Sequence, residues 1–433
     1  MWLNKGFSAR IAPQPGWANC FRAIWPVLMP VLVWAALLFA PVPIVFGQVI
    51  EVPAGVLPEP INDNDAVQIL NTGKLAELSP LSAPEIPFFT YKMVASRNGH
   101  TYQGSIVGSS PFSPKTNDTT TTVNFVIVPI VLKFNFAGGS AVTFSPIVGD
   151  PGCLGKGRTA LSLTQQSPLF HPVSFTMNGV NVGNTTYPDA FQRGEFFHRI
   201  GVNYHLSFKV TTLAAQTVTL AVSDTFPAHA TVFHFTGQCG NNTGVTNIPG
   251  DLGVVDINTF DPIAQGLIRK LHLNASQFPF FMLYNSVLSE GDSADLNNCC
   301  ILGYHNSESR LVTNPGQTYG VSEFEGRNQT LFKGGADVSI MTHEVAEWIN
   351  DPSVNNLVPS WGHIGQQQGC QDNLEVGDPL TGTLFPNKTL NGFAYHMQEL
   401  AFFSWFYGKP SIGAGGRFSD NGTFIKDAGP VCH

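Results

Sequence analysis

Charge is scarce in this chain. Only 12% of its 433 residues are Asp, Glu, Lys or Arg, and the body carries no basic run or Lys/Arg patch interleaved with aromatics. That absence argues against a nucleic-acid partner and against a polybasic membrane-surface module. No G-x-S-x-G elbow, P-loop or G-x-G-x-x-G fingerprint occurs, which leaves serine-hydrolase, nucleotide and dinucleotide chemistry unsupported. No C-x-x-C pair occurs either, so the cysteines lack the usual spacing of a thiolate metal site.

What is present is apolar and turn-rich. Hydrophobic residues make up 43% of the chain, enough to build a core, while 43 Gly and 31 Pro favour many short strands and turns over long helices. The expected class is α+β and rich in strands.

The first 47 residues read as a secretory leader. Lys5, Arg10 and Arg22 occur without any acidic residue, and an apolar run extends from about Ala23 to Gly47. Val45 and Gly47 are small enough for a cleavage site before Gln48. An uncleaved anchor is the alternative, although Pro26, Pro30, Pro41 and Pro43 interrupt a continuous spanning helix. Cleavage removes three basic residues and takes the net charge from -8 to -11, a balance suited to solubility. The expectation is therefore a secreted or extracytoplasmic protein with no membrane contact beyond the leader.

Cys20 lies in the leader, and Cys153, Cys239, Cys299, Cys300, Cys370 and Cys432 remain. Six cysteines in an oxidising compartment allow three disulfides in fifteen pairings, with Cys299 and Cys300 expected to take separate partners.

Residues 48–84 read as an extended, proline-rich pro-segment or linker with one short helix near Ala66–Leu78. The domain proper is expected over 85–433. Thr119–Phe136 is nearly continuous in apolar and β-branched residues, the pattern of a strand buried on both faces. Helical spacing appears at Thr159–Phe170, Pro188–Phe197 and Asp261–Leu271. Alternating segments between about 200 and 240 suggest a β-rich insertion, and Pro279–Val287 and Gln317–Phe324 read as further strands.

One segment carries chemistry. Asp337–Pro352, DVSIMTHEVAEWINDP, reads as a buried helix at 337–350 with Asp337 near its N-terminus and Pro352 just past its end. His343 and Glu347, four residues apart, project from one face and are able to grip one metal ion. The pattern is H-E-x-x-H with the second histidine replaced by glutamate. Zinc accepts a carboxylate there, and manganese, iron or calcium become stronger competitors. Glu344 is the expected general base, taking a proton from a water that the ion activates. The third ligand is expected from GCQDNLEVGDP, as Glu375 or Asp378. Asp351 lies about 12 Å along the helix axis from His343 and suits the Asp-Pro turn instead. His305, His363 and His396 are outside candidates, expected to be core or hydrogen-bonded histidines.

Four features, in order, resemble the secreted phosphate-induced (Exordium-like) proteins of plants and their bacterial relatives. They are Cys300 followed by Gly303-Tyr304-His305, HEVAEWINDP at His343–Pro352, EVGD at Glu375–Asp378, and Gly392–Tyr395 leading to Gln398. The resemblance covers the C-terminal third well and the middle loosely. The adjacent Cys299 and Cys300 and the run YHMQELAFFSWFYG depart from the family pattern. The resemblance implies a secreted, zincin-like protein with a mixed sheet packed on an active-site helix. Taken together, the residues point to a metal-dependent hydrolase, and within that class to a zinc peptidase acting on a peptide or protein. The rival is a non-catalytic extracellular or wall-associated binding protein with a structural metal or none.

Overall fold

A computed structural model describes residues 85–112, 120–222, 229–240, 245–290, 299–327, 335–362 and 371–426, together with Gln68–Ile69, Ala294 and Phe332. The leader, Cys20, His363, Cys370 and Cys432 lie outside these residues, as does the helix expected at 66–78 apart from Gln68–Ile69, which form a short strand. Among the described residues no helix is long and apolar enough to cross a membrane.

The fold is α+β and strand-rich. Its axis is the long strand Thr120–Asn135, within the segment whose apolar residues run nearly unbroken. Alternation divides them between two cores. Phe125 and Ile127 join the core beneath the site helix, and Val126 and Val128 join a second core on the opposite face. Gln277–Tyr284 pairs with this strand in parallel, Thr318–Phe324 pairs with Gln277–Tyr284 in parallel, and Gly303–Ser307 closes that side antiparallel. A second, four-stranded sheet contains Ala230–Phe233, Leu252–Asp256, Ser286–Ser289 and Cys299–Ile301.

The strands expected between 200 and 240 exist but are not set apart as an insertion. His205–Thr212 and Gln216–Ala221 both pair in parallel with the central strand, and Ala230–Phe233 belongs to the second sheet. Their alternation reports one buried face, which a main-sheet strand supplies as well as a separate subdomain would.

The expected helices are present with shifted ends. Thr159 caps Ala160–Gln165 in a reciprocal box with Ser162. Tyr187–Glu195 carries Pro188 in its first turn. Ile257–Lys270 begins four residues before the periodicity suggested, because the Asp256 side chain accepts a hydrogen bond from Asn258 N–H.

A disulfide joins Cys153 to Cys239 across 86 residues of sequence, both ends buried. Cys299 and Cys300 are joined by a cis peptide at the start of the strand Cys299–Ile301, with their sulfurs turned toward each other. Neighbouring side chains on an ordinary strand point to opposite faces, which is the ground for expecting separate partners for these two cysteines. We predict that the Cys153→Ser/Cys239→Ser double variant is destabilised by about 2–4 kcal/mol, since so long a loop is closed by the bond. Denaturant unfolding checks this, and an unchanged midpoint would refute it.

Candidate metal centre

The helix Ser339–Asn350 is buried along its whole length. Its apolar side is anchored by Trp348, whose ring stacks on Phe278 of the sheet at 3.7 Å between centroids. Two glycines let charged side chains come close on the other side. A Cβ at Gly303 would lie 2.7 Å from Cγ and Oε1 of Glu344, and a Cβ at Gly377 would lie 2.5–2.7 Å from ring atoms of His343. Any side chain at either place would displace the group it faces.

The loop that meets the helix alternates. Leu374 and Val376 enter the core, while Glu375 comes within 3.8 Å of His305 and Gly377 lies against His343. Asp378 opens the short 3-10 turn Asp378–Leu380. Its backbone N–H and that of Gly377 donate to Glu347 Oε1, at 3.2 and 3.1 Å, and so fix that carboxylate.

Two histidines and four carboxylates converge. His343 Nε2 lies 2.9 Å from Glu347 Oε1 and 3.4 Å from Asp378 Oδ1. His305 Nδ1 lies 3.7 Å from Glu344 Oε2 and 3.8 Å from Glu347 Oε2, and its Nε2 lies 3.8 Å from Glu375 Oε2. All six residues are at most 1% exposed. The structure therefore groups His343, Glu347 and Asp378 as one set and His305, Glu347 and Glu375 as another.

Each histidine is oriented from behind. Gln398 Nε2 donates to the Gly377 carbonyl at 2.6 Å, which turns its amide oxygen to accept from His343 Nδ1–H at 2.9 Å. His343 Nε2 is thereby aimed at the carboxylates, the arrangement by which outer hydrogen bonds set a ligand's tautomer. His305 Nε2–H donates to the Asp351 carbonyl at 3.1 Å, so in the neutral ring Nδ1 carries the lone pair.

Electrostatics separate the two rings. Burial pushes His305 down to about 3, with Arg310 and His343 adding to the effect, so it is neutral. Burial acts in the same direction on His343, but Glu347, Asp378 and Glu344 outweigh it and hold the imidazole well above its usual range. Glu375 is raised well above the carboxylate range by burial and then by Glu347, Asp351, Asp378 and Glu344. Around His343 and Glu375 the carboxylates therefore favour added positive charge.

A divalent cation suits this donor set. His305 Nδ1 and both Glu375 oxygens are buried without a hydrogen-bond partner. Such groups are costly to bury unless an ion or a partner offsets them. Donors around a tetrahedral ion at about 2.1 Å lie about 3.4 Å apart, close to the His343–Asp378 separation.

The sequence candidates divide accordingly. His343, Glu344, Glu347, Glu375 and Asp378 are brought together. Asp351 holds the turn after the helix, its Oδ1 accepting from the N–H groups of Asn355 and Asn356. His396 pairs with Asp337 at 2.6 Å and takes the bland role expected of it. His305 does not, because its strand faces the helix and carries it into the cluster. Gln398 is the other residue whose position sequence reasoning did not assign. The only earlier signal for either was its place in the motifs of the resemblance. No family model, curated protein or solved structure matches the chain.

Proposed function

We propose that this protein is an exported metal-dependent hydrolase, most simply a zinc peptidase, with His343, Glu347 and Asp378 as ligands and Glu344 as the general base. The observation that carries this reading is the meeting of the helix pair His343/Glu347 with Asp378 inside a buried, strongly acidic interior. A bound ion would supply Lewis acidity and lower the pKa of water. The chain supplies the rest. Gln398 fixes the His343 tautomer, the N–H groups of Gly377 and Asp378 hold Glu347, and Glu344 is the carboxylate next to His343 on the helix, the place from which a base takes a proton. The leader pattern and the resemblance to Exordium-like proteins support export.

One observation favours a second reading. Every donor is buried, which suits a closed ion that stabilises a binding protein as well as it suits catalysis.

The first test is metal analysis of the purified mature protein beside His343→Ala and Asp378→Asn. Each substitution should lower bound metal by about one ion per chain, because each removes one of three ligands. Unchanged metal content in both variants would rule out this set. Activity on an unfolded protein such as casein, abolished by chelation and restored by zinc, is expected of the enzyme. Full metal occupancy without turnover across a broad peptide library would favour the binding protein.

A further inference from the structure

Glu347 belongs to both donor sets, and its two oxygens face different partners. Oε1 lies 2.9 Å from His343 Nε2, on the side of Asp378, while Oε2 lies 3.8 Å from His305 Nδ1. The hydrogen bonds from Gly377 and Asp378 N–H fall on Oε1, so they hold the carboxylate in the rotation that presents Oε2 to His305.

The His305 side has its own unmet requirement. His305 Nδ1 and both Glu375 oxygens are at least nine-tenths buried and have no hydrogen-bond partner. Donor atoms of His305, Glu347 and Glu375 all lie within 4.8 Å of one another. The His305 Nδ1 lone pair faces the Glu344 and Glu347 carboxylates at 3.7 and 3.8 Å, and Glu375 Oε2 approaches the same ring from its Nε2 edge at 3.8 Å, so a cation held among these donors would satisfy the lone pair and the carboxylates together. Nothing in the His343 set meets that need, because Asp378 and His343 serve the other oxygen of the shared carboxylate.

We propose that the cluster binds two divalent cations, one at His343 and Asp378 and a second at His305 and Glu375, with Glu347 bridging them. The proposal rests on the metal-centre reading of this cluster and deepens it to a two-ion site. Carboxylate-bridged ions in hydrolytic enzymes stand about 3.5–4 Å apart and clamp both sides of a displacement, which suits a hydrolase of the kind proposed above.

Metal stoichiometry decides it. The mature protein, stripped with chelator and equilibrated with Zn2+, should hold two ions per chain. His305→Ala and the near-isosteric Glu375→Gln should each hold one, as should His343→Ala. Circular dichroism confirms that the compared variants are folded, and Glu375→Gln serves if His305→Ala is not. A second readout uses Mn2+, since a bridged pair gives an exchange-coupled paramagnetic resonance spectrum where an isolated ion gives a simple six-line one. Wild type saturating at one ion, with an uncoupled Mn2+ spectrum, would overturn the two-ion proposal. If that one ion is lost in His343→Ala and kept in Glu375→Gln, the single-metal hydrolase survives. Wild type holding no ion would sink both readings together.

Discussion

Glu344→Gln should leave bound metal and fold intact while lowering turnover by a factor of roughly 10² to 10⁴. Glutamine preserves the size and hydrogen-bonding capacity of the side chain and removes its basicity. The preserved size matters because Glu344 packs directly over Gly303, where no Cβ fits. Hydrolysis of casein and metal content, measured on the same preparations, test the idea. Loss of metal in Glu344→Gln would make Glu344 a ligand and not a base. Equal activity of wild type and variant would remove it from the chemistry.

The second large effect is expected at a residue without a side chain. Gly377→Ala would put a methyl group 2.5–2.7 Å from Nδ1, Cγ and Cε1 of His343. The backbone there is in an ordinary right-handed conformation, so the obstacle is space and not torsional strain. Either the imidazole swings away and loses its bond to Gln398, or the loop carrying Asp378 retreats. Both outcomes dismantle the His343 set. We expect bound metal to fall by about one ion per chain and stability to fall by about 1–3 kcal/mol, the usual cost of overpacking. Gly266→Ala is the control, because a Cβ there meets only the flexible end of Arg269 at 4.0 Å. Wild-type metal content in Gly377→Ala would refute the tight fit of loop to helix.

Much of this centre was legible in the sequence because helical spacing is a local rule. His343, Glu344 and Glu347 lie within one helical segment, and a period of 3.6 residues places the first and third on a common face. Asp378 and Glu375 were readable only as a pair in an acidic, glycine-containing loop. Which of them meets His343 depends on the alternation by which Leu374 and Val376 turn inward, and that is set by the core they meet. His305 was not readable from its own neighbourhood. A histidine on a short strand resembles any core histidine, and only the packing of strand 303–307 against the helix, allowed by Gly303, brings it among the carboxylates of the cluster.

The same limit explains the strands near 200–240. Alternation identifies a strand and its buried face but does not name the neighbour, and here the neighbour is the central strand, whose paired residues lie 85 to 86 positions earlier. Gln398 shows the converse case. Its amide becomes meaningful only when the Gly377 carbonyl and the His343 ring stand on either side of it.

The complete burial of the donors sets how an ion would come and go. Segments around 305, 343, 375 and 398 must all be in place before the donors meet, so the unfolded chain offers no equivalent site. Capture of an ion would then mark the end of folding of the C-terminal half. Release requires a local opening of helix, strand or loop, and so it follows the rate of that opening and not the strength of the competing chelator. Were the protein exported, as proposed, this would mean retention. An ion acquired once, as the chain folds, would stay through long dilution in surroundings where free zinc is scarce.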